Sequence, residues 1–362
     1  METKKITVMI MAGGTGGHVF PGLAVAKELR HRGAEVFWLG TRKGLEARTV
    51  PVAGFDIEWI SIQGLRGKGV LGWLLMPWRL LRALMQSLKI IRRRRPSVVV
   101  SFGGFVAGPG ALMARLLRRP LIVHEQNAIP GLTNKILSFF ADKVLCGFPG
   151  AFGNQSGAIH VGNPVRDEII QLHKKTGHLF DGKRKMRLLI IGGSLGAKVF
   201  NETVPLALRS IDESCRPEIW HQSGRGNEQD TRDRYEPRRA DVKVTEFIDD
   251  IAQAYKWADV VLCRAGAMTV SELAVAGRPA ILVPYPYAVD DHQTANAHYL
   301  SDRDGAILIA QKEFTPERLQ DLLQTLQANP KLVRQMAKRS RSCGVTDATE
   351  TVSQYCLEVC HA

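Results

Sequence analysis

The sequence predicts an α/β protein of two Rossmann-like domains whose parallel sheets face a cleft. Three observations carry this. An apolar β-type run, Ile6 to Ala12, breaks into the cluster Gly13-Gly14-Thr15-Gly16-Gly17 and resumes as a helical pattern from about Pro21 to Arg32, closed by Gly33. A strand, glycine turn and helix recur over Met186 to Asn201, where Gly192 stands 179 residues after Gly13. The chain has 362 residues, too many for one ordinary core and suited to two α/β domains.

Composition narrows the class. A hydrophobic content of 45% with 23% charged residues belongs to a globular chain, not a disordered one. Met1-Glu2-Thr3-Lys4-Lys5 leads straight into a strand, so no secretory signal is expected. The six cysteines are scattered without C-x-x-C, which points to free thiols in a reducing cytoplasm and no metal cluster. The net charge of +14 is unevenly placed. Between Trp59 and His124 there is no Asp or Glu, while twelve Arg and Lys, among them Arg79, Arg82 and Arg92 to Arg95, lie there. Such asymmetry points to an anionic partner surface, nucleic acid or lipid headgroups.

In the first turn, glycines let the backbone take positive φ and approach a ligand, and the helix start aims N–H groups at a phosphate or carboxylate. The spacing is not G-x-G-x-x-G, since the third place falls on Val19. The second strand, Glu35 to Gly40, ends without an acid for an adenosine ribose, so a dinucleotide is disfavoured. His18 reads either as a polar cap on the helix start or as a base at a strand-end cleft, able to take a proton from an acceptor hydroxyl. A short helix near Gly44 to Arg48, a strand from Asp56 to Ile62 and a basic glycine-rich loop, Gln63 to Gly69, follow.

The apolar run Val70 to Trp78 feeds a helix from about Pro77 to Arg94, with a polar stripe of Arg79, Arg82, Gln86, Lys89 and Arg93. The run is far short of the ~18 apolar residues that a membrane span needs. One reading is a core helix with a solvated basic side. The other is a monotopic patch in which Trp73, Leu74, Leu75 and Trp78 dip into the interface and Arg79 and Arg82 meet anionic headgroups, at roughly 1 kcal/mol per basic residue. No nucleic-acid motif accompanies the charge. Ser97 to Ser101 is the next strand, followed by a second glycine cluster (Gly103 to Gly110), a helix near Ala111 to Leu117, and a strand, Pro120 to Val123, ending in His124-Glu125-Gln126-Asn127. Turns at the carboxyl ends of parallel strands share one ligand crevice. Glu125 and Asn127 are therefore candidates for acceptor contacts or for tuning His18, with a helix N-cap the other reading of Asn127.

The second half repeats the plan. Gly192-Gly193-Ser194-Leu195-Gly196 follows the strand Met186 to Ile191, His221-Gln222-Ser223-Gly224 follows Glu218 to Trp220, and a strand from Val242 to Ile248 enters a helix at Asp249-Asp250. Asp259 to Cys263 opens into Arg264-Ala265-Gly266 and a helix that Gly277 closes. A diphosphate over that helix start gains amide bonds and a dipole contribution of about 0.3 to 2 kcal/mol. Glu272, one turn in, reads as an acceptor for ribose hydroxyls or as an ordinary first-turn acid. Asp302-Arg303-Asp304 spells D-x-D, but it sits between a helix and a strand, poorly placed for a metal. There is no G-x-S-x-G and no P-loop lysine.

Gly13 to His18, His124 to Asn127, Gly162-Asn163-Pro164-Val165-Arg166, Gly192-Gly193-Ser194, His221 to Gly224 and Gly266 to Glu272, in this order, resemble the MurG family of bacterial peptidoglycan N-acetylglucosaminyltransferases, which have the GT-B fold. The resemblance spans nearly the whole chain. It implies an inverting hexosyltransferase that moves N-acetylglucosamine from UDP-GlcNAc to the muramoyl 4-hydroxyl of undecaprenyl-diphospho-muramoylpentapeptide, peripheral on the cytoplasmic face of the inner membrane, with cell-wall and division proteins as further partners and no cofactor or metal. By motif, Thr15, Gly16, Gly17, Asn127, Arg166, Ser194, Ile248, Ala267, Met268, Thr269, Val270, Ser271, Glu272 and Gln293 would hold the sugar nucleotide, Ile248 facing uracil and Glu272 the ribose. His18 and Glu125 would serve catalysis on the acceptor side. Leu195 stands where the family usually has Gln, and Ala107 where Ser is common. The loop Tyr285 to Asp291 is one residue longer than the usual pattern.

The expected domains are 1–163, an acceptor and membrane domain, and 164–343, the nucleotide domain. A last helix, Ala348 to Val359 in segment 344–362, returns to the first. Two rivals remain at this level: a UDP-GlcNAc epimerase on the same fold, which would act without a lipid acceptor, and a basic RNA-binding protein.

Overall fold

The computed structural model describes residues 5–62, 76–153, 157–174, 180–193, 195–235 and 241–361. The chain forms two compact units, residues 1–166 with 347–362, and residues 167–346.

In the first unit the elements run β1 (Thr7–Ala12), α1 (Gly16–His31), β2 (Glu35–Gly40), α2 (Glu46–Val52), β3 (Asp56–Trp59), α3 (Met76–Arg94), β4 (Val98–Gly103), α4 (Ala107–Leu116), β5 (Leu121–Glu125), α5 (Leu132–Leu137), β6 (Lys143–Cys146) and β7 (Ala158–His160). They form a seven-stranded sheet in the order β3-β2-β1-β4-β5-β6-β7, parallel throughout. Parallel strands covered on both faces must be apolar on both. Accordingly Val8 to Ala12 are all buried, as are Val98 to Val100. The order reverses between β1 and β4, which makes the carboxyl ends of these two strands the switch point where open α/β sheets take their ligands.

The helix α1 begins five residues before the Pro21 start that proline's preference for first turns suggests. Thr15, extended at φ −116°, ψ 160°, is its N-cap, and Pro21 lies inside it. Of the clustered glycines only Gly14, at φ 90°, needs the left-handed region. Gly22 is needed for packing, since a Cβ there would meet the Trp38 ring at 2.7 Å. That indole in turn donates to the Ala12 carbonyl at 2.8 Å and so pins the end of β1. The helix α4 likewise starts at Ala107, not Ala111, because Pro109 needs no hydrogen-bonded N–H in a first turn. The third strand ends at Trp59, short of Ile62.

The second unit runs α6 (Asp167–Lys174), β8 (Arg187–Ile191), α7 (Lys198–Arg209), β9 (Glu218–Gln222), α8 (Glu228–Arg234), β10 (Val242–Thr245), α9 (Ile251–Trp257), β11 (Val260–Cys263), α10 (Ala267–Ala276), β12 (Ala280–Leu282), α11 (His292–Ser301), β13 (Ala306–Leu308), α12 (Pro316–Ala328) and α13 (Pro330–Ser342). Its six strands order as β10-β9-β8-β11-β12-β13, again all parallel. Here the switch point falls between β8 and β11. Leu188, Ile190, Leu262 and Ile281 meet Phe200, Val204 and Leu323 in the core. The last helix, α14 (Ala348–His361), belongs to the first unit, where Val352 and Cys356 pack with Val8, Ile10 and Val100.

Candidate functional site

At the first switch point the β1 and β4 turns press together so closely that a Cβ on Gly104 would lie 2.5 Å from the Gly13 carbonyl oxygen. His18, in the first turn of α1, stands over this junction. Its Nδ1 is 3.3 Å from the Gly13 carbonyl oxygen and 3.4 Å from Thr15 Oγ1. A carbonyl only accepts, so that contact puts the proton on Nδ1 and the lone pair on Nε2. The Nε2 edge faces Gly103, where a Cβ would approach it to 3.3 Å. Gly16 is crowded by Phe20, 2.8 Å from a Cβ there, whereas at Gly17 the one neighbour among the described residues is Thr15 Oγ1, at 3.7 Å. Packing among the described residues therefore does not account for the missing side chain at Gly17.

Sequence reasoning missed the groups that hold this turn. Glu46 is fully buried at the start of α2. Its Oε2 accepts the Gly14 amide at 3.1 Å, and its Oε1 accepts the Thr41 amide at 3.0 Å and Thr41 Oγ1 at 2.8 Å. Gly44 gives it room, since a Cβ there would sit 2.0 Å from Oε2.

Glu125, buried at the end of β5, is similarly occupied. Oε1 accepts from Asn127 N and Nδ2 at 2.9 and 3.0 Å, and Oε2 from Gly131 N and Asn134 Nδ2 at 3.1 and 3.0 Å. Asn134 Oδ1 takes the Ser101 hydroxyl at 3.1 Å, and Ser101 Oγ takes the Gly103 amide at 3.2 Å. This buried chain runs from the β5 turn to the glycine beside His18. Asn134 and Ser101 carried no signal in the sequence, because their partners are distant in the chain. His124 is a support: Gln126 Nε2 donates to its Nδ1, its Nε2 lies 3.0 Å from the Gly162 carbonyl, and burial pushes its pKa down to about 4. Arg166 lies with its guanidinium 5.4 Å from the Phe20 ring on α1.

In the second unit the turns after β8, β9, β10 and β11 share the carboxyl edge. A Cβ on Gly192 would lie 2.3 Å from the Ala197 amide. Gln222 bridges, donating to the Gly193 and Glu246 carbonyls at 2.8 and 3.0 Å and accepting the Gly192 amide at 3.2 Å. Below it His221 is held between Tyr235 Oη at 2.7 Å and Asn201 Oδ1 at 3.0 Å, with burial lowering its pKa to about 3. Ser194 lies outside the described residues, and Leu195 points to solvent, 81% exposed. Ile248, beyond β10, is buried.

Across the switch point α10 starts at Ala267 with Gly266 as N-cap. Asn296 Nδ2 fixes the preceding loop through the Ala265 carbonyl at 3.1 Å. Met268 and Thr269 lie partly exposed in the first turn, while Val270, Ser271 and Glu272 are buried. The Glu272 carboxylate accepts the Tyr255 hydroxyl at 3.2 Å. Arg264 directs its guanidinium to the Val283 and Pro284 carbonyls and to Gln311, neutral groups that leave its charge in place, and the first-turn amides of α10 add the positive end of the helix dipole. Gln293 Oε1 accepts the Tyr285 amide at 2.9 Å. The D-x-D acids are both engaged, Asp302 in a hydrogen bond with His298 Nδ1 at 2.8 Å and Asp304 in an ion pair with Arg339 at 2.5 Å.

The basic stretch is redistributed in space. Arg93 and Arg94 pair with Glu58 and Asp56 at 2.6 and 3.2 Å, so the arginine run at the end of α3 is partly neutralised by acids just outside the acid-free stretch. Trp78, Leu81 and Met85 of α3 are exposed at 69, 49 and 58%. Leu116 on α4, Leu132 and Ile136 on α5, and Phe139 add further exposed apolar surface. Trp73, Leu74 and Leu75, with the loop at Gln63 to Gly69, lie outside the described residues. Among those described, no helix is long and apolar enough to cross a membrane.

Comparison with known proteins agrees with both halves of this description. Residues 8–146 match the glycosyltransferase family 28 N-terminal domain and residues 187–352 its C-terminal domain. A UDP-N-acetylglucosamine--N-acetylmuramyl-(pentapeptide) pyrophosphoryl-undecaprenol N-acetylglucosamine transferase of Alkalilimnicola ehrlichii is 51% identical, covering 97% of this chain and 98% of that one. The transferase of the same name from Shewanella amazonensis is 50% identical, with 97% of each chain covered. The crystal structure of Acinetobacter baumannii MurG superposes with a TM-score of 0.82 at 39% identity, over 98% of this chain and 99% of that one. With both domains matched and half of its residues shared with such relatives along nearly its whole length, the chain belongs to the MurG family of glycosyltransferase family 28.

Proposed function

We propose that the protein transfers N-acetylglucosamine from UDP-GlcNAc to the muramoyl 4-hydroxyl of undecaprenyl-diphospho-muramoylpentapeptide, converting lipid I to lipid II with inversion at the sugar carbon. One observation carries the reading. A histidine stands over the switch point of one sheet, and a helix N-terminus with a buried carboxylate one turn in stands at the switch point of the other, in a chain half-identical to transferases named for this reaction.

The acceptor oxygen forms its bond to the sugar C1 as the C1–O bond to UDP breaks, and the hydroxyl proton passes to His18 Nε2. The first-turn amides of α10 stabilise the charge that develops on the diphosphate, as pre-aligned dipoles do for a leaving group. Glu272, held by Tyr255, accepts the ribose hydroxyls and Ile248 packs on uracil. Ser194, Met268, Thr269, Ser271 and Gln293 complete the donor contacts from the second unit. Thr15, Gly16, Gly17, Asn127 and Arg166 supply the contacts that come from the first unit. Glu125 acts on Asn127 and Asn134 and is a positioning residue, since its own loop engages both of its oxygens.

The protein sits peripherally on the cytoplasmic face of the inner membrane. The exposed apolar residues of α3, α4 and α5, flanked by Arg79, Arg82 and Lys135, support this as the attached face. Transfer from radiolabelled UDP-GlcNAc to lipid I in detergent tests the reaction. His18→Gln is expected to lower kcat by about 10²- to 10⁴-fold while leaving the KM for UDP-GlcNAc in place. Near-parental turnover would remove His18 as the base, and epimerised UDP-sugar formed without acceptor would replace the reading with the epimerase.

A further inference from the structure

The carboxyl edge of the first sheet carries a second feature that the transfer chemistry leaves unused. Beside the glycine turn lies a groove of about 470 Å³, walled by Arg42 and Lys43 after β2, Trp59 at the end of β3, and Trp78, Arg79 and Arg82 at the start of α3. No acid lines it. Among the described residues, none of its four cations forms an ion pair. The Arg42 guanidinium lies 5.1 Å from the Trp59 ring, which holds it along the wall. Four like charges around one hollow repel one another, and an entering polyanion removes that cost while gaining charge-assisted bonds. The volume falls within the range of small-ligand sites, roughly 300 to 1,000 Å³.

Its position selects the anion. Strand β2 neighbours β1 in the sheet. Thr41, also on the groove wall, bonds to Glu46, which takes the amide of Gly14. The groove and the His18 turn are thus walls of one hydrogen-bonded unit. An acceptor whose sugar hydroxyl reaches His18 carries its diphosphate a few ångströms away and its polyisoprenoid beyond. Past the groove, Leu81 and Met85 continue along α3 as exposed apolar surface. We infer that this groove seats the diphosphate of the lipid-linked acceptor, with Arg42 and Lys43 on one wall and Arg79 and Arg82 on the other; the inference rests on the transfer reaction proposed above. A bulk phospholipid headgroup would share the chemistry. A concave site with two cations on a strand-end loop, off the α3 face, favours the acceptor.

The test is the double variant Arg42→Gln/Lys43→Gln, at exposed positions where the fold is not at stake. In detergent with a short-chain lipid I analogue, the acceptor KM should rise tenfold or more, while kcat and the KM for UDP-GlcNAc stay within twofold. Geranyl diphosphate should compete with the acceptor in the parent and lose potency by a similar factor in the variant. An unchanged acceptor KM overturns the inference. So does weakened binding to phosphatidylglycerol vesicles with intact acceptor kinetics, which would assign the groove to the bilayer. If the parent fails to use the acceptor at all, the transfer reading is what fails. Calorimetric binding of geranyl diphosphate to parent and variant then decides the groove by itself, and equal binding by the two rejects it.

Discussion

Replacing Glu46 by Gln tests whether the Gly13 to His18 turn is held in place by the buried Glu46 carboxylate. Oε1 serves two donors from Thr41 and Oε2 serves the Gly14 amide. A glutamine that keeps its oxygen on Thr41 turns an NH₂ group toward the Gly14 N–H. That forfeits one charge-assisted bond, about 1.5 to 3 kcal/mol, and strands one buried donor, the new NH₂ group, at about 1 to 3 kcal/mol, since the exposed Gly14 can turn its amide to water. The unrelaxed sum is roughly 3 to 6 kcal/mol, and a turn free to withdraw at one corner recovers part of it, leaving about 2 to 4 kcal/mol. Because Gly14 is the positive-φ pivot before His18, the loss should appear locally. Hydrogen exchange of the Gly14 amide should accelerate by about 30-fold or more, the urea midpoint of the first unit should fall, and kcat should drop with the KM for UDP-GlcNAc unchanged. Parental exchange at Gly14 together with parental kcat would refute the reasoning.

Gly17→Ala separates packing from ligand approach. The chain leaves room for the methyl, so thermal stability should hold or rise by up to about 1 kcal/mol, while transfer falls at least tenfold; full activity would mean that nothing approaches this backbone. His124 and His221 are buried neutral with pKa values lowered to about 4 and 3. The unfolded chain therefore binds more protons below pH 6.5, so their contribution is complete above that pH and is lost as pH falls toward 4 and 3. His124→Gln should flatten the stability-pH curve by about 3 kcal/mol between pH 6.5 and 4, and an unaltered slope in urea titrations would contradict this. Leu116→Ser/Leu132→Ser/Phe139→Ser, all exposed, should weaken sedimentation with anionic vesicles at least tenfold without changing detergent activity, and equal sedimentation would place the membrane face elsewhere.

What the sequence shows and hides follows from how far apart partners lie in the chain. The turns at Gly13 to His18 and Gly266 to Glu272 are legible because strand, turn and helix start are contiguous. The start of α1 is misplaced because Pro21 imitates a first-turn residue inside a helix already begun at Gly16. The charge map fails for a spatial reason: the acids that neutralise Arg93 and Arg94 precede the acid-free stretch in sequence but, on β3, lie beside the end of α3 in space. Glu46 and Asn134 are silent because each looks like an ordinary helix residue until β1, β4 and β5 are brought side by side. The same geometry explains why they are needed. With Gly13 and Gly104 so close that a Cβ would intrude at 2.5 Å, the backbone at the switch point must be positioned without side chains of its own. Buried polar groups from neighbouring turns have to do it instead. A turn built from glycines therefore depends on carboxylates and amides that its neighbours supply, and in this unit those are Glu46 behind β1 and the Glu125–Asn134–Ser101 chain behind β4.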